Sequence, residues 1–234
     1  MGDLKKYKKM KVSIILPTYN ERNNIKKIVQ EILKIDSKFE IIIIDDNSPD
    51  GTGKIIDKLK IKYSNIKVIH RKKRLGLSSA IIQGFKVANG NIIGVMDADL
   101  SHPTNIINKM INYIEKNKTN FVIGSRLIKG GRVKNWPFSR KIISIIATIM
   151  AKLLTNVKDP MSGFFFLKKE VINNIKFTSK GYKICLEILV KGKYDKVIEI
   201  PYIFNNRKYG KSKLNFNEYI KYLIDWIRLI KYKI

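Results

Sequence analysis

The chain has 234 residues, 44% of them apolar, with 47 basic against 19 acidic side chains and one cysteine, Cys185. That length supports one good-sized core, as a single domain or one domain with a satellite. The lone cysteine rules out an intrachain disulfide framework, fits a reducing compartment and leaves no cysteine cluster for structural zinc. The net charge of +28 comes from 39 lysines and 8 arginines beside 42 isoleucines. A coding bias produces such usage when lysine fills indifferent surface positions. The surface still attracts anions, nucleic acid or lipid headgroups alike, and the arginines, with their planar donor forks, are the more informative cations.

The N-terminal MGDLKKYKKMK is basic without an apolar run, so no secretory signal is expected, and Lys6 stands where a myristoylation signal wants Ser or Thr. Val12–Leu16 (VSIIL) reads as a strand stopping at Pro17. Asn23 to Ile35 repeats at helical spacing, with Ile25, Ile28, Val29, Ile32 and Leu33 on one side. Phe39–Ile44 (FEIIII) is unbroken apolar, which predicts a strand covered on both faces. DDNSPDGTG is turn chemistry, followed by a helix from Thr52 to Leu59. Then come a strand at Ile66–Ile69, a helix at Ser78–Ala88, a strand at Asn91–Met96, a helix at Thr104–Lys116 and a strand at Phe121–Gly124. This alternation predicts a mostly parallel α/β sheet, whose ligands gather at the C-terminal ends of the strands.

Four polar stretches fall at those ends: PTYNE (17–21), DDNSPDGT (45–52), HRKKRLG (70–76) and DADLSH (97–102). Turn-making alone explains one such stretch, but not four on one sheet edge. No GxxxxGK[ST] segment and no strand–GxGxxG–helix unit is present, which argues against an ATPase or a hydride-transfer enzyme. The two histidines, His70 and His102, lack any His/Cys ligand spacing. Asp97 and Asp99 sit two apart, so in extended backbone both carboxylates leave on one side and repel unless a cation lies between them. Magnesium or manganese, sharing the oxygens of a bound diphosphate, matches such a pair.

PTYNE, DDNSPDGT, LGLSSA (Leu75–Ala80) and DADLSHP (Asp97–Pro103) resemble the nucleotide-sugar half of an inverting family 2 glycosyltransferase. GSR (Gly124–Arg126), DPMSGFF (Asp159–Phe165), GYKICLE (Gly181–Glu187) and RKYGKSKL (Arg207–Leu214), in this order, resemble the polyprenyl-phosphate (dolichyl-phosphate) mannose synthases. The resemblance runs from Lys11 to Leu214. It implies a GT-A (Rossmann-like), mostly parallel sheet flanked by helices, forming a catalytic domain over 1–214. Within it, 11–125 would be the nucleotide-sugar half and 126–214 the acceptor half, with a C-terminal helix over 215–234. The implied reaction moves mannose from GDP-mannose to a polyprenyl (dolichyl) phosphate with inversion.

By the same resemblance Pro17, Tyr19, Glu21 and Asp46, and less firmly Asp45, hold the base and ribose. Asp97, Ala98 and Asp99 hold the donor diphosphate, with Asp97 and Asp99 binding Mg2+ or Mn2+. Many prokaryotic members carry Gln two residues after the second aspartate; this chain has Ser101, so water is expected in place of a third protein ligand. Asp99, Arg126 and Asp159 are the catalytic candidates, with Asp159 orienting a sugar hydroxyl or an arginine. Arg140, Arg207 and Lys213 are the candidates for the acceptor phosphate. That acceptor is already an anion and needs no strong base; the difficulty is to bring two anions together, which arginines and a metal solve electrostatically. A polyprenyl-phosphate glucosyltransferase using UDP-glucose is the rival within enzymes. A nucleic-acid-binding protein is the alternative from another class, but it needs a concentrated basic face, and these lysines are spread throughout with no recognisable nucleic-acid motif.

A lipid acceptor predicts a membrane-facing surface. In RKIISIIATIMAKLL (Arg140–Leu154) the apolar Ile142–Ala151 is too short for a span of about 20 residues. Trp136, Arg140, Lys141 and Lys152 flank it, which favours an interfacial segment over 136–154; burial in the core is the competing reading. In EYIKYLIDWIRLIKYKI, Lys221, Asp225 and Arg228 fall on one stripe. Ile220, Leu223, Ile224, Ile227 and Ile230 fall on the other, with Tyr219, Tyr222, Trp226 and Tyr232 interleaved. This is a basic amphipathic helix suited to a membrane plane, or to packing against the catalytic domain or a partner. The expectation is a peripheral protein on the cytoplasmic face of a membrane, with a membrane-protein partner or an oligomer left open.

Overall fold

A computed structural model describes residues 10–179, 181–205 and 216–233. Five strands follow the expected order: β1 (Val12–Thr18), β2 (Glu40–Asp45), β3 (Ile66–His70), β4 (Ile92–Val95) and β5 (Phe121–Ser125). Between them lie α1 (Ile25–Ile35), α2 (Thr52–Lys62), α3 (Leu77–Val87) and α4 (Ile107–Glu115), the last entered through a 3-10 turn at Thr104–Ile106. β1 does not stop at Pro17. Its pairing with β4 ends at Ile15, while its pairing with β2 continues to Thr18. Ile15 O faces β4 and Thr18 O faces β2, so Pro17 turns its donor-less nitrogen to the side where no ladder remains.

The second half adds a short parallel pair, β6 (Arg132–Val133) with β9 (Ile203–Phe204), and the helix α5 (Phe138–Lys152). It also adds β7 (Phe165–Lys168), α6 (Ile184–Lys191), β8 (Val197–Pro201) and α7 (Phe216–Lys233). The main sheet has the order β3-β2-β1-β4-β7-β5-β8. It is mixed: β7 runs antiparallel between β4 and β5, while the other four pairings are parallel. A Cβ at Gly94 would collide with the ring of Phe166, its partner across the β4–β7 ladder, so that crossing needs glycine.

Helices cover both faces. Ile14, Leu16, Ile41 and Ile43 pack with α1, α2 and α4 in one cluster, and Ile15, Ile42 and Ile44 pack with α3 and α6 in the other. Alternate residues of one apolar run thus serve opposite cores, and each such isoleucine is fully buried, worth about 1.5–3 kcal/mol apiece. A third cluster joins α5, α6 and α7 through Ala151, Leu154, Leu186, Tyr222 and Leu229.

α7 corrects one expectation. Asp225 is not on a solvent stripe: it is 6% exposed and turned inward beside Tyr222 and Leu229. The interleaved aromatics form the packing face. Tyr222 Oη donates to Ala147 O (2.7 Å) and Trp226 Nε1 to Met150 O (2.8 Å), seating α7 along α5. Ile220, Leu223, Ile224 and Ile227 face outward, as do Ile142, Ile145, Ile146 and Ile149 of α5. α5 is therefore not a core helix; its buried residues are Thr148 and Ala151.

Candidate active site

Parallel strands bring their C-terminal ends to one edge, and a cleft opens there. On its first wall stand Pro17 near the end of β1, Tyr19 and Glu21 after it, Asp46 after β2, and Asp97, Ala98 and Asp99 after β4. The two aspartates of the DD pair part company. Asp45 does not line the cleft; its carboxylate accepts the Ser48 hydroxyl (2.5 Å) and the Thr18 hydroxyl (3.3 Å) within the turn. Asp46 lines the cleft while its two oxygens accept the Leu75 and Gly76 N–H groups, both at 2.8 Å, with the Arg71 guanidinium at 3.0 Å. It thereby ties the turn before α3 to β2, and Gly76 at φ 93° supplies a conformation that costs glycine little. Arg74 lies over the Tyr19 ring at 4.2 Å.

The Asp97–Asp99 loop is held by its own side chains. Asp99, 4% exposed, accepts the Ser101 N–H (3.1 Å), and Leu100 between them takes a left-handed φ of 64°. The buried Ser101 Oγ has no hydrogen-bond partner. Two carboxylates on the cleft wall and an orphan hydroxyl make an all-oxygen donor set, which fits a hard divalent cation. Among the described residues no three His, Cys, Asp or Glu side chains group to hold a metal, so the rest of such a shell falls to ligand oxygens and water.

His102 lies beneath this loop, 3% exposed, its ring stacked on Phe164 at 5.0 Å. Its Nδ1 accepts the Asp97 N–H at 3.0 Å, while Nε2 is 3.8 Å from Asp97 Oδ2. Burial, helped by Arg126 and opposed by Asp99, lowers the imidazole to about 4. The contact with Asp97 is thus made by a neutral ring.

A second group of lining residues is cationic and aromatic. Arg126, just past β5, is locked to Asp159: its backbone N–H, Nε and Nη2 reach the two carboxylate oxygens at 2.9, 2.8 and 2.7 Å. Asp159 is fully buried and does not line the cleft; the side chain it meets there is Arg126. Burial alone would raise its carboxyl, but the guanidinium holds it below the usual carboxylate range. Glu199 of β8 in turn takes the Lys158 and Asp159 N–H groups at 2.8 and 3.0 Å.

The Trp136 ring carries two guanidiniums, Arg140 at 4.1 Å and Arg126 at 5.6 Å. One indole thereby gathers both arginines at one place. Lys183 joins them on the cleft wall. Burial and the charge of Arg126, against the pull of Asp159, lower its ammonium to about 8.

The structure therefore brings Pro17, Tyr19, Glu21, Asp46, Asp97, Ala98, Asp99, Arg126 and Arg140 to one cleft and leaves Asp45 and Asp159 off its surface. Arg207 and Lys213 lie outside the described residues. Sequence reasoning missed Lys183, Trp136, Arg74 and His102. Lys183 was one lysine among 39, whereas Trp136, four residues before Arg140, was legible as a stacking partner.

A family model for glycosyl transferase family 2 matches residues 13–176. The dolichol-phosphate mannosyltransferase of Pyrococcus furiosus is 46% identical over 233 residues, covering 96% of this chain and 65% of the relative, so the chain spans about two-thirds of that protein. The Saccharomyces cerevisiae enzyme of the same name is 37% identical, with 90% and 84% covered. Among solved structures, a mannosyltransferase from Pyrobaculum calidifontis in complex with GDP-Man and Mn2+ superposes with a TM-score of 0.65 at 17% identity, covering 94% of this chain and 65% of that one. Glucosyl-3-phosphoglycerate synthase from Mycobacterium tuberculosis, in complex with Mn2+, UDP-glucose and phosphoglyceric acid, gives 0.68 at 17%, covering 96% and 79%. The chain is a glycosyltransferase of family 2 and, within it, belongs to the dolichol-phosphate mannosyltransferases.

Proposed function

We propose that this chain transfers mannose from GDP-mannose to the phosphate of a polyprenyl (dolichyl) phosphate, with inversion, on a GT-A type fold. One observation carries the reading: a single cleft sets the Asp97–Asp99 pair against two arginines gathered on one indole ring. A reaction between two phosphate-bearing substrates needs that division of charge. The names of the relatives support mannose and a dolichol-phosphate acceptor, and the Pyrobaculum mannosyltransferase supports GDP-mannose and the metal.

In this reading Pro17, Tyr19, Glu21 and Asp46 hold the base and ribose, and Asp97, Ala98 and Asp99 meet the diphosphate. Asp97 and Asp99 would hold magnesium or manganese, which when bound neutralises charge on the departing diphosphate. Arg140, Arg126 and Lys183 draw in the acceptor phosphate and hold it near the anomeric carbon. Its oxygen attacks that carbon as the bond to GDP breaks, and the electron pair leaves with GDP. No side chain needs to remove a proton. Asp159 keeps the Arg126 fork in one orientation, so that the cation is positioned before substrate arrives.

Among the described residues no helix is long and apolar enough to cross a membrane. We place the protein at a membrane surface through the outward isoleucines of α5 and α7. These lie beside the cleft, which both helices help to line with Ile143, Ala147, Tyr219 and Tyr222. The test is transfer to a short polyprenyl phosphate with GDP-mannose and UDP-glucose run side by side, with Mn2+ and with chelator. Chelator-sensitive product from GDP-mannose alone is expected. Product from UDP-glucose alone corrects the donor, and binding of neither overturns the reading.

A further inference from the structure

The aspartate pair depends on a loop that would not hold its shape unaided. Leu100, a bulky residue, sits at φ 64°, a left-handed conformation costing on the order of 1–2 kcal/mol. Residues on either side must over-determine it. Asp99 fixes one side by accepting the Ser101 N–H (3.1 Å). The other side is fixed from five residues on, where His102 Nδ1 accepts the Asp97 N–H at 3.0 Å.

We infer that His102 is a positioning residue for the metal-bearing aspartates: its imidazole, clamped by aromatic rings, sets the direction in which Asp97 presents its carboxylate. Phe164 stacks on the ring at 5.0 Å with 9° between planes, and Tyr202 and Phe204 meet it edge-on at 5.7 and 5.9 Å. The ring cannot turn without breaking these contacts, so its acceptor nitrogen is fixed in space. Because Nδ1 accepts, the proton of the neutral ring is on Nε2, and that edge faces Asp97 Oδ2 at 3.8 Å. Backbone and side chain of the one aspartate thus face the two nitrogens of one imidazole. Outer groups that orient metal ligands in this way typically change affinity by about 10–100-fold when removed.

This inference rests on the metal site proposed above, and the experiment separates the two. Mn2+ binding to the full chain in the presence of GDP is measured by electron paramagnetic resonance for wild type, His102→Phe, His102→Asn and His102→Gln. Melting temperatures and the Asp97 amide resonance are read on the same samples. His102→Phe keeps an aromatic ring on Phe164 but removes the acceptor, and is expected to weaken Mn2+ roughly 10–100-fold with GDP binding in chelator unchanged. His102→Asn places an amide oxygen near the Nδ1 position and is expected to recover most of the affinity and the wild-type amide shift. His102→Gln, whose oxygen reaches the Nε2 position, is not. If His102→Phe fails to fold, the contrast between the Asn and Gln variants decides. Equal Mn2+ affinity in all folded variants, or equal loss in Asn and Gln, overturns the role of His102. Absence of Mn2+ binding by wild type overturns the metal site and this inference with it.

Discussion

The two walls of the cleft are built in different ways. On the wall proposed for the donor the bonds join side chains to backbone N–H groups: Asp46 accepts from Leu75 and Gly76, Asp99 from Ser101, and the ring of His102 from Asp97. On the wall proposed for the acceptor, side chains hold one another. Arg126 clasps Asp159, and Trp136 gathers Arg126 with Arg140. A parallel sheet delivers the first arrangement to any chain of that topology. The second exists only because particular rings and forks happen to meet. The donor wall should therefore fail one charge at a time, and the acceptor wall as a coupled unit.

The largest effect belongs to the donor wall. Asp97→Asn and Asp99→Asn each keep shape and remove charge, and each is expected to cut kcat/KM for GDP-mannose roughly 10³-fold. Neither is expected to move the melting temperature by much. Asp97 faces the cleft, and in Asp99→Asn the amide oxygen would still accept the Ser101 N–H. Steady-state kinetics beside thermal melts check both.

Arg126→Lys and Asp159→Asn are expected to come next, at about 10²-fold each. Lysine keeps the charge but cannot reproduce the fork that reaches both oxygens of Asp159, nor the planar contact with Trp136. The double variant should lose hardly more than either single one, since each removes the same clasp. Losses that simply multiply would show that Asp159 has a task of its own. Asp159 also bears on stability. Its carboxyl is held low in the folded state, so its contribution is present at neutral pH and is lost as pH falls through that lowered value. Asp159→Asn should flatten acid unfolding as well as slow turnover.

That contrast also explains what the sequence disclosed. Val12 to Gly124 was legible because β1, β2, β4 and β5 are largely buried apolar runs and α1 repeats its apolar residues at helical spacing. Tyr19, Glu21, Asp46, Asp97 and Asp99 were legible as cleft residues because they follow those strands directly. Beyond Gly124 the logic stopped. β7 is reversed, which no periodicity reveals, and its Phe165 and Phe166 serve different cores. Asp159 was named through its motif's resemblance, as orienting a sugar hydroxyl or an arginine; that its partner is Arg126, 33 residues away, no local pattern discloses. Asp225 looked solvent-facing because it shares a helical stripe with Lys221 and Arg228. Its neighbours Tyr222 and Trp226 carry donors that bind α5, and these set the rotation of the helix instead.

Lys183 gives a smaller effect with a pH signature. With its ammonium at about 8 in the free protein, the charged form prevails below that value. kcat/KM, which reports the free enzyme, should stay level up to pH 8 and then fall, while bound phosphates move the limb of kcat higher. Lys183→Arg should remove the limb and Lys183→Met should lower the plateau about tenfold. The same depression means the folded chain binds fewer protons than the unfolded one between about 8 and 10.5. The lysine's effect on stability therefore improves as pH rises across that window. A limb that survives in Lys183→Met would assign it to another group.

The smallest effect on chemistry comes from the outward isoleucines, and it separates the walls from the surface that presents them. Ile145 of α5 and Ile224 of α7 are 58% and 43% exposed and touch neither wall. Replacing either with Glu should leave turnover of a short, soluble polyprenyl phosphate unchanged. An isoleucine buried in a lipid interface contributes about 1.5–3 kcal/mol, and 1.4 kcal/mol is tenfold in partition. Each substitution is therefore expected to cut binding to anionic lipid vesicles by roughly tenfold or more. Trp226→Ala, on the inward face of α7, should behave in the opposite way, lowering the melting temperature through the lost bond to Met150 and disturbing short-chain turnover through Tyr219 and Tyr222. Vesicle sedimentation and short-chain kinetics on the same three variants decide the point. If the glutamate variants bind vesicles like wild type, the two exposed stripes do not face lipid. The acceptor phosphate would then have to reach Arg140 and Lys183 from another side.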